Sequence, residues 1–122
     1  MITSTGILLS GLSTNENFEF LNKVFENQNY IYKINIMHYP DYFDDIKKYN
    51  FDLVLAGHSH NGQISIPFYG AIVTPEHSKN YYKPYYKVDN TDFYISSGIG
   101  TSLSNFRLFN RPSFNLYRLN NN

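Results

Sequence analysis

Three of the four histidines stand at the ends of strand-like runs. His38 follows the run Tyr30–Met37. His58 and His60 lie in Gly57-His58-Ser59-His60-Asn61-Gly62-Gln63, directly after Phe51–Ala56. In extended backbone, residues i and i+2 point to the same side, so His58 and His60 present two imidazoles together. A helical stretch separates the two host runs, which makes the strands parallel with a right-handed crossover. Their carboxyl ends then share one edge of a sheet, where open α/β sheets place ligands, and His38 joins the pair. Converging imidazoles are metal-binding chemistry; they suit Zn, Fe, Mn or Ni, and three histidines alone do not choose among these. Gly57 and Gly62 are expected to let the backbone turn sharply and approach a ligand. His77, between Glu76 and Ser78, is expected only to satisfy a local loop hydrogen bond.

The elements that position these residues follow from periodicity. Ile7-Leu8-Leu9-Ser10 reads as a strand ended by Gly11. Ser13-Thr14-Asn15-Glu16 has the Ser-x-x-Glu form of a capping box. Phe18, Leu21, Val24 and Phe25 then fall at helical spacing, predicting a helix over about 15–27. Tyr30–Met37 is a strand stopped by Pro40, which has no backbone donor. Asp41 or a neighbour caps a second helix through Lys48, with Tyr42, Ile46 and Tyr49 inward. Phe51–Ala56 is nearly continuous in apolar residues, as a strand buried on both faces is. Beyond Gly62 the pattern changes to short strands at 63–67, 86–88, 93–96 and 114–119, with a turn at Asp89-Asn90-Thr91. The fold class is therefore α/β: strand-helix-strand-helix-strand, then antiparallel strands.

Composition narrows the function classes. The 122 residues carry 10 Lys and Arg against 10 Asp and Glu, which removes the electrostatic case for a general nucleic-acid binder. The absence of cysteine rules out a thiolate zinc site, a disulfide and a cysteine nucleophile. No apolar run approaches the ~20 residues that span a bilayer, and Met1-Ile2-Thr3-Ser4 lacks a charged leader, so neither signal nor anchor is expected in this chain. Sixteen Asn, with abundant Tyr, Phe, Ile and Lys, fit an A/T-rich coding bias, and Asn120-Asn121-Asn122 reads as a frayed tail. Tyr81-Tyr82-Lys83-Pro84-Tyr85-Tyr86-Lys87 interleaves aromatics with lysine. It is read as a loop entering a hairpin, its rings covering the sheet, rather than as a base-stacking platform.

The heptad Gly57–Gln63 resembles the last metal motif of the calcineurin-like metallophosphoesterases, in the bacterial branch with Gly-His-Thr-His-Gly-Gly-Gln. Ile36-Met37-His38-Tyr39-Pro40-Asp41 is similar to the preceding motif, a strand leading into His-x-Pro-Asp. Ile66–Gly70, Val73-Thr74-Pro75, the loop Ser96–Ser102 and the segment Arg107 to Pro112 follow in order. The resemblance runs from about Ile7 to Leu119. It implies a phosphoester hydrolase of the αββα sandwich type, acting on phosphomonoesters or diesters. His38 and His58 would bind one metal and His60 a second, the two divalent ions (Mn, Fe, Zn or Mg) lying roughly 3.5–4 Å apart. Members of that branch are often held near membranes, so the location implied is cytoplasmic or membrane-associated.

The chain lacks the family's Asp-x-His, Gly-Asp-x-x-Asp and Gly-Asn-His-Glu. None of its six Asp residues stands in such a motif. Three imidazoles without a bridging carboxylate leave the repulsion of two cations uncompensated. Residues 1–122 are thus expected to form the C-terminal part of such a domain, inactive alone, its partner being the half with the missing motifs. No catalytic residue is assigned to this chain, and Arg107 and Arg111 are left undecided between phosphate and carboxylate. The alternative is a non-catalytic remnant or binding module. A half sandwich would expose an inner apolar face, so self-association is expected. Asn61 stands for the branch's Gly, Ser97 for a commoner Arg and Ser113 for a commoner Glu; Ser97 is expected to remove a cation from the site.

Overall fold

The computed structural model describes residues 6–14, 17–26, 29–60, 65–66, 70–71, 74–100 and 111–120. Strand β1 is Ile7–Leu12, β2 Tyr32–Met37, β3 Leu53–Ala56, β4 Ser65–Ile66, β5 Gly70–Ala71, β6 Tyr85–Val88 and β7 Thr91–Ile95. One five-stranded sheet has the order β1-β2-β3-β7-β6, and β4 pairs with β5 separately. The pairs β1–β2, β2–β3 and β3–β7 are parallel; β6–β7 is antiparallel around the turn Asp89–Asn90.

The antiparallel pairing expected in the second half is found in β6–β7 and β4–β5, but β7 also joins the parallel part of the sheet, which was not expected. This strand runs parallel to β3, with Val54 opposite Phe93 and Ala56 opposite Ile95. The slot beside β3 is buried, and only a strand that can bury Phe93 (0%) and Ile95 (1%) fits it. The strand expected at 114–119 is absent: residues 111–120 have no regular structure. Tyr117 rests its ring on Tyr94, 5.1 Å between centroids, so the segment meets a sheet face rather than pairing with an edge. The strand expected at 63–67 is described only at Ser65–Ile66.

Helix α1, Glu19–Phe25, begins later than the capping-box pattern predicts. β1 runs on to Leu12, so Ser13 leaves a strand, and Asn17 Oδ1 instead accepts the Glu19 N–H at 3.1 Å. Helix α2, Phe43–Ile46, is a single turn between two 3-10 turns, Pro40–Tyr42 and Lys47–Tyr49. Asn50, in left-handed backbone (φ 50°), ends it. No side chain caps its start; Asp41 is engaged elsewhere.

Both helices cover one sheet face. Leu21, Phe43 and Ile46 pack with Leu8, Leu12, Met37, Val54, Ala56, Phe93 and Ile95, alternate residues that the strand register places on a common side. Phe93 stacks on Phe43 at 4.7 Å and meets Tyr81 and Tyr86. Those two tyrosines therefore cover the sheet, as the hairpin reading expects. The opposite face carries Ile7, Leu9, Ile34, Ile36, Leu55 and Tyr94. It is apolar yet only half-covered, with Ile36 46% exposed. Among the described residues no helix is long and apolar enough to cross a membrane.

Candidate metal-binding edge

Because β2, β3 and β7 are parallel, their carboxyl ends meet at one edge. His38 directly follows β2, and His58 and His60 follow β3. Ser96–Gly98 follow β7, tied in where the Ser96 N–H donates to the Ala56 carbonyl at 2.9 Å. The rings of His38 and His58 lie 4.6 Å apart between centroids, tilted by 53°. Tyr39 fills the space beside them, its ring 4.9 Å from His38, 4.7 Å from His58 and 4.7 Å from His77.

Each histidine of His-x-His is oriented by a backbone carbonyl. His58 Nε2 lies 2.9 Å from the Glu76 carbonyl oxygen. His60 Nδ1 lies 3.1 Å from that of Ser97. A carbonyl only accepts, so Nε2 carries the hydrogen in His58 and Nδ1 carries it in His60. In the neutral rings the lone pair for a ligand then sits on Nδ1 of His58 and on Nε2 of His60. Burial, then the neighbouring His58 and His60, lower the His38 pKa below its ordinary 6.5.

The backbone departs from the expectation about glycine. His58, His60 and His77 are themselves left-handed, with φ of 61°, 46° and 62°. Gly57 is not left-handed, and a Cβ there would meet nothing within 4 Å. The turn is built from left-handed histidines rather than from Gly57; Gly62 lies outside the described residues. At Gly98 (φ +66°) the backbone does require glycine, and a Cβ would stand 3.6 Å from the His60 ring.

His77 does more than a local loop bond. Its carbonyl accepts the Asp41 N–H at 3.0 Å, and its ring packs on Tyr39 and Tyr42. Nothing in sequence spacing signalled that the Glu76–His77 turn borders the imidazoles. Ser97 is 2% exposed, its hydroxyl donating to the Arg111 carbonyl at 3.1 Å and bonded to Ser113 Oγ at 2.5 Å. The two departures from the family pattern, Ser97 and Ser113, are thus one contact inside a loop. Arg107 lies outside the described residues; Arg111 is exposed.

Among the described residues no three His, Asp or Glu side chains are grouped closely enough to hold one metal ion. The rings of His38 and His58 are in contact, and His60 Nδ1 is bonded to the Ser97 carbonyl.

The chain is 34% identical over 89 residues to the uncharacterized metallophosphoesterase YkuE of Bacillus subtilis, covering 73% of this chain and 31% of that protein. It is 31% identical over 84 residues to the phosphodiesterase YaeI of Escherichia coli, covering 69% and 31%. It is 29% identical over 96 residues to the uncharacterized metallophosphoesterase YkoQ of B. subtilis, covering 72% and 33%. The chain therefore spans about a third of the length of these relatives. No family model and no solved structure matches it.

Proposed function

The chain belongs to the metallophosphoesterase family, and from that membership we propose that it supplies the C-terminal part of a metal-dependent phosphoesterase. The observation that carries this reading is the pairing of His38 with His58 at 4.6 Å, on the sheet edge that also presents His60. His38 and His58 would hold one divalent cation and His60 a second. Bound cations supply Lewis-acid stabilisation of phosphoryl charge and an activated water. The chain's own residues set the donors. Burial, with the neighbouring His58 and His60, favours the neutral form of His38, while the carbonyls of Glu76 and Ser97 fix which nitrogen His58 and His60 offer.

Carboxylates of the bridging kind would come from the part of the protein that the relatives have and this chain does not match. The half-covered face with Ile36, Ile34 and Leu55 is where that part would pack. The substrate would be a phosphomonoester or diester; the E. coli relative is named a phosphodiesterase. One experiment tests both halves of the reading. Calorimetric titration with Zn²⁺ or Mn²⁺ should show binding that is lost in a His58→Ala, His60→Ala double variant. The same chain with Mn²⁺ should leave p-nitrophenyl phosphate and its bis ester intact. Robust turnover by the chain alone would refute its incompleteness.

A second reading, a non-catalytic binding module, draws on the lack of a three-ligand group among the described residues. It predicts no metal binding in either the parent chain or the double variant.

A further inference from the structure

Three consecutive backbone N–H groups converge on one carboxylate at the border of the site. Asp41 Oδ2 accepts from Lys79 at 2.8 Å, and Oδ1 accepts from Asn80 at 3.0 Å and Tyr81 at 3.1 Å. The Asp41 N–H in turn donates to the His77 carbonyl at 3.0 Å. Asp44, three residues on, accepts from Asn80 Nδ2 at 3.3 Å and Tyr81 Oη at 3.0 Å. The segment 76–81 is therefore gripped from the α2 region at several points. Its other end supplies the Glu76 carbonyl, 2.9 Å from His58 Nε2. The Ser78 N–H closes the turn onto the Pro75 carbonyl at 3.2 Å.

We infer that Asp41 is a positioning residue for His58, acting through the turn that presents the Glu76 carbonyl. A charged acceptor for three successive amides is roughly twice as strong per bond as a neutral one and fixes their common direction. The turn has no regular structure of its own, and His77 holds left-handed backbone at φ 62°. Without the carboxylate, the amides of Lys79, Asn80 and Tyr81 would turn to water, and the chain at Glu76 would relax with them. The His58 ring would then lose the acceptor that fixes its hydrogen on Nε2. Outer groups that orient a metal-binding imidazole typically change metal affinity by 10–100-fold. Only this effect on affinity rests on the metal reading above; the orientation of His58 does not.

The test uses the full chain and two variants, Asp41→Ala and Asp41→Asn. Asparagine keeps one carbonyl oxygen and so accepts from part of the amide set. The first readout is the His58 ring N–H proton of the metal-free, ¹⁵N-histidine-labelled protein, slowed in exchange by its hydrogen bond. It should be visible in the parent chain, weakened in D41N and lost in D41A. The second is Zn²⁺ affinity by calorimetry, which should fall roughly 10- to 100-fold in D41A and less in D41N. A folded D41A with an unchanged His58 signal overturns the inference, as does a parent chain in which that proton is never seen. Should D41A fail to fold, D41N carries the same comparison, with an unchanged signal again decisive against it. A parent chain that binds no Zn²⁺ but shows the predicted N–H changes would sink the metal reading and leave the role of Asp41 standing.

Discussion

Left-handed backbone at His58 predicts an inverted glycine effect. His58→Gly and His58→Ala both remove the imidazole, its bond to the Glu76 carbonyl and its contacts with His38 and Tyr39. Their difference therefore isolates the backbone. At an ordinary position alanine is more stabilising than glycine by about 0.5–1 kcal/mol. At φ 61° a Cβ crowds the following carbonyl, costing about 1–2 kcal/mol, so glycine becomes the better residue. Over 122 residues, an unfolding entropy of about 2.1 cal/mol/K each turns the net difference of about 0.5–1 kcal/mol into roughly 2–4 °C in Tm. Thermal melts followed by circular dichroism should thus place H58G above H58A by that margin. Ser59, which is not left-handed, supplies the control: there the alanine variant should melt higher than the glycine variant. If H58A equals or exceeds H58G, the strained turn does not exist in solution, and the argument that the site stores backbone strain falls with it.

Phe93→Ala removes a fully buried ring stacked on Phe43 and should cost about 3–5 kcal/mol in urea unfolding; a loss under 1 kcal/mol would contradict the packing. Asp92 is held below its ordinary 3.8, chiefly by the Tyr85 hydroxyl, against a smaller opposing effect of burial and with further help from Lys87. Its contribution is complete above 3.8 and disappears as pH falls through the lowered value, so acid titration of stability should be shallower in Asp92→Asn. Ile36→Lys, on the half-covered sheet face, should leave the melt within about 0.5 kcal/mol of the parent while reducing self-association in sedimentation velocity; unchanged association would show that this face is not what drives it.

Short runs rich in apolar and β-forming residues made β1, β2 and β3 legible, and the carboxyl ends of β2 and β3 bring His38 and His58 together. The place of β7 was not legible, because Thr91–Ile95 reads equally well as the second arm of a hairpin, which it also is. Only burial of Phe93 and Ile95 against Val54 and Ala56 selects the slot beside β3, and burial is a property of the assembled sheet. Gly57 misled for a related reason. Glycine permits left-handed backbone, but the structure uses that conformation one residue later, where His58 is wedged by His38, Tyr39 and the Glu76 carbonyl. Asp41 looked like a helix cap because it follows Pro40, yet its acceptors serve amides some forty residues away. Such a partner has no local signature. The 114–119 alternation failed as a strand because periodicity says nothing about whether an unpaired edge is within reach.

The parallel docking of β7 against β3 also sets an order of events. The hairpin β6–β7 closes over a two-residue turn and forms by local diffusion, whereas β3 and β7 must find each other across residues 57–90. Closing that span has an entropy cost before any contact repays it, and non-local pairings of this kind are slow. The carbonyl that orients His60 belongs to Ser97, just past β7, so the imidazole edge is completed only after that late docking. In refolding followed by pulsed hydrogen exchange, amides of β6 and β7 bonded within the hairpin should gain protection first. The Ser96 amide, bonded to Ala56 across the β3–β7 seam, should follow in a later phase. The imidazole edge is, on this account, the last part of the five-stranded sheet to be completed.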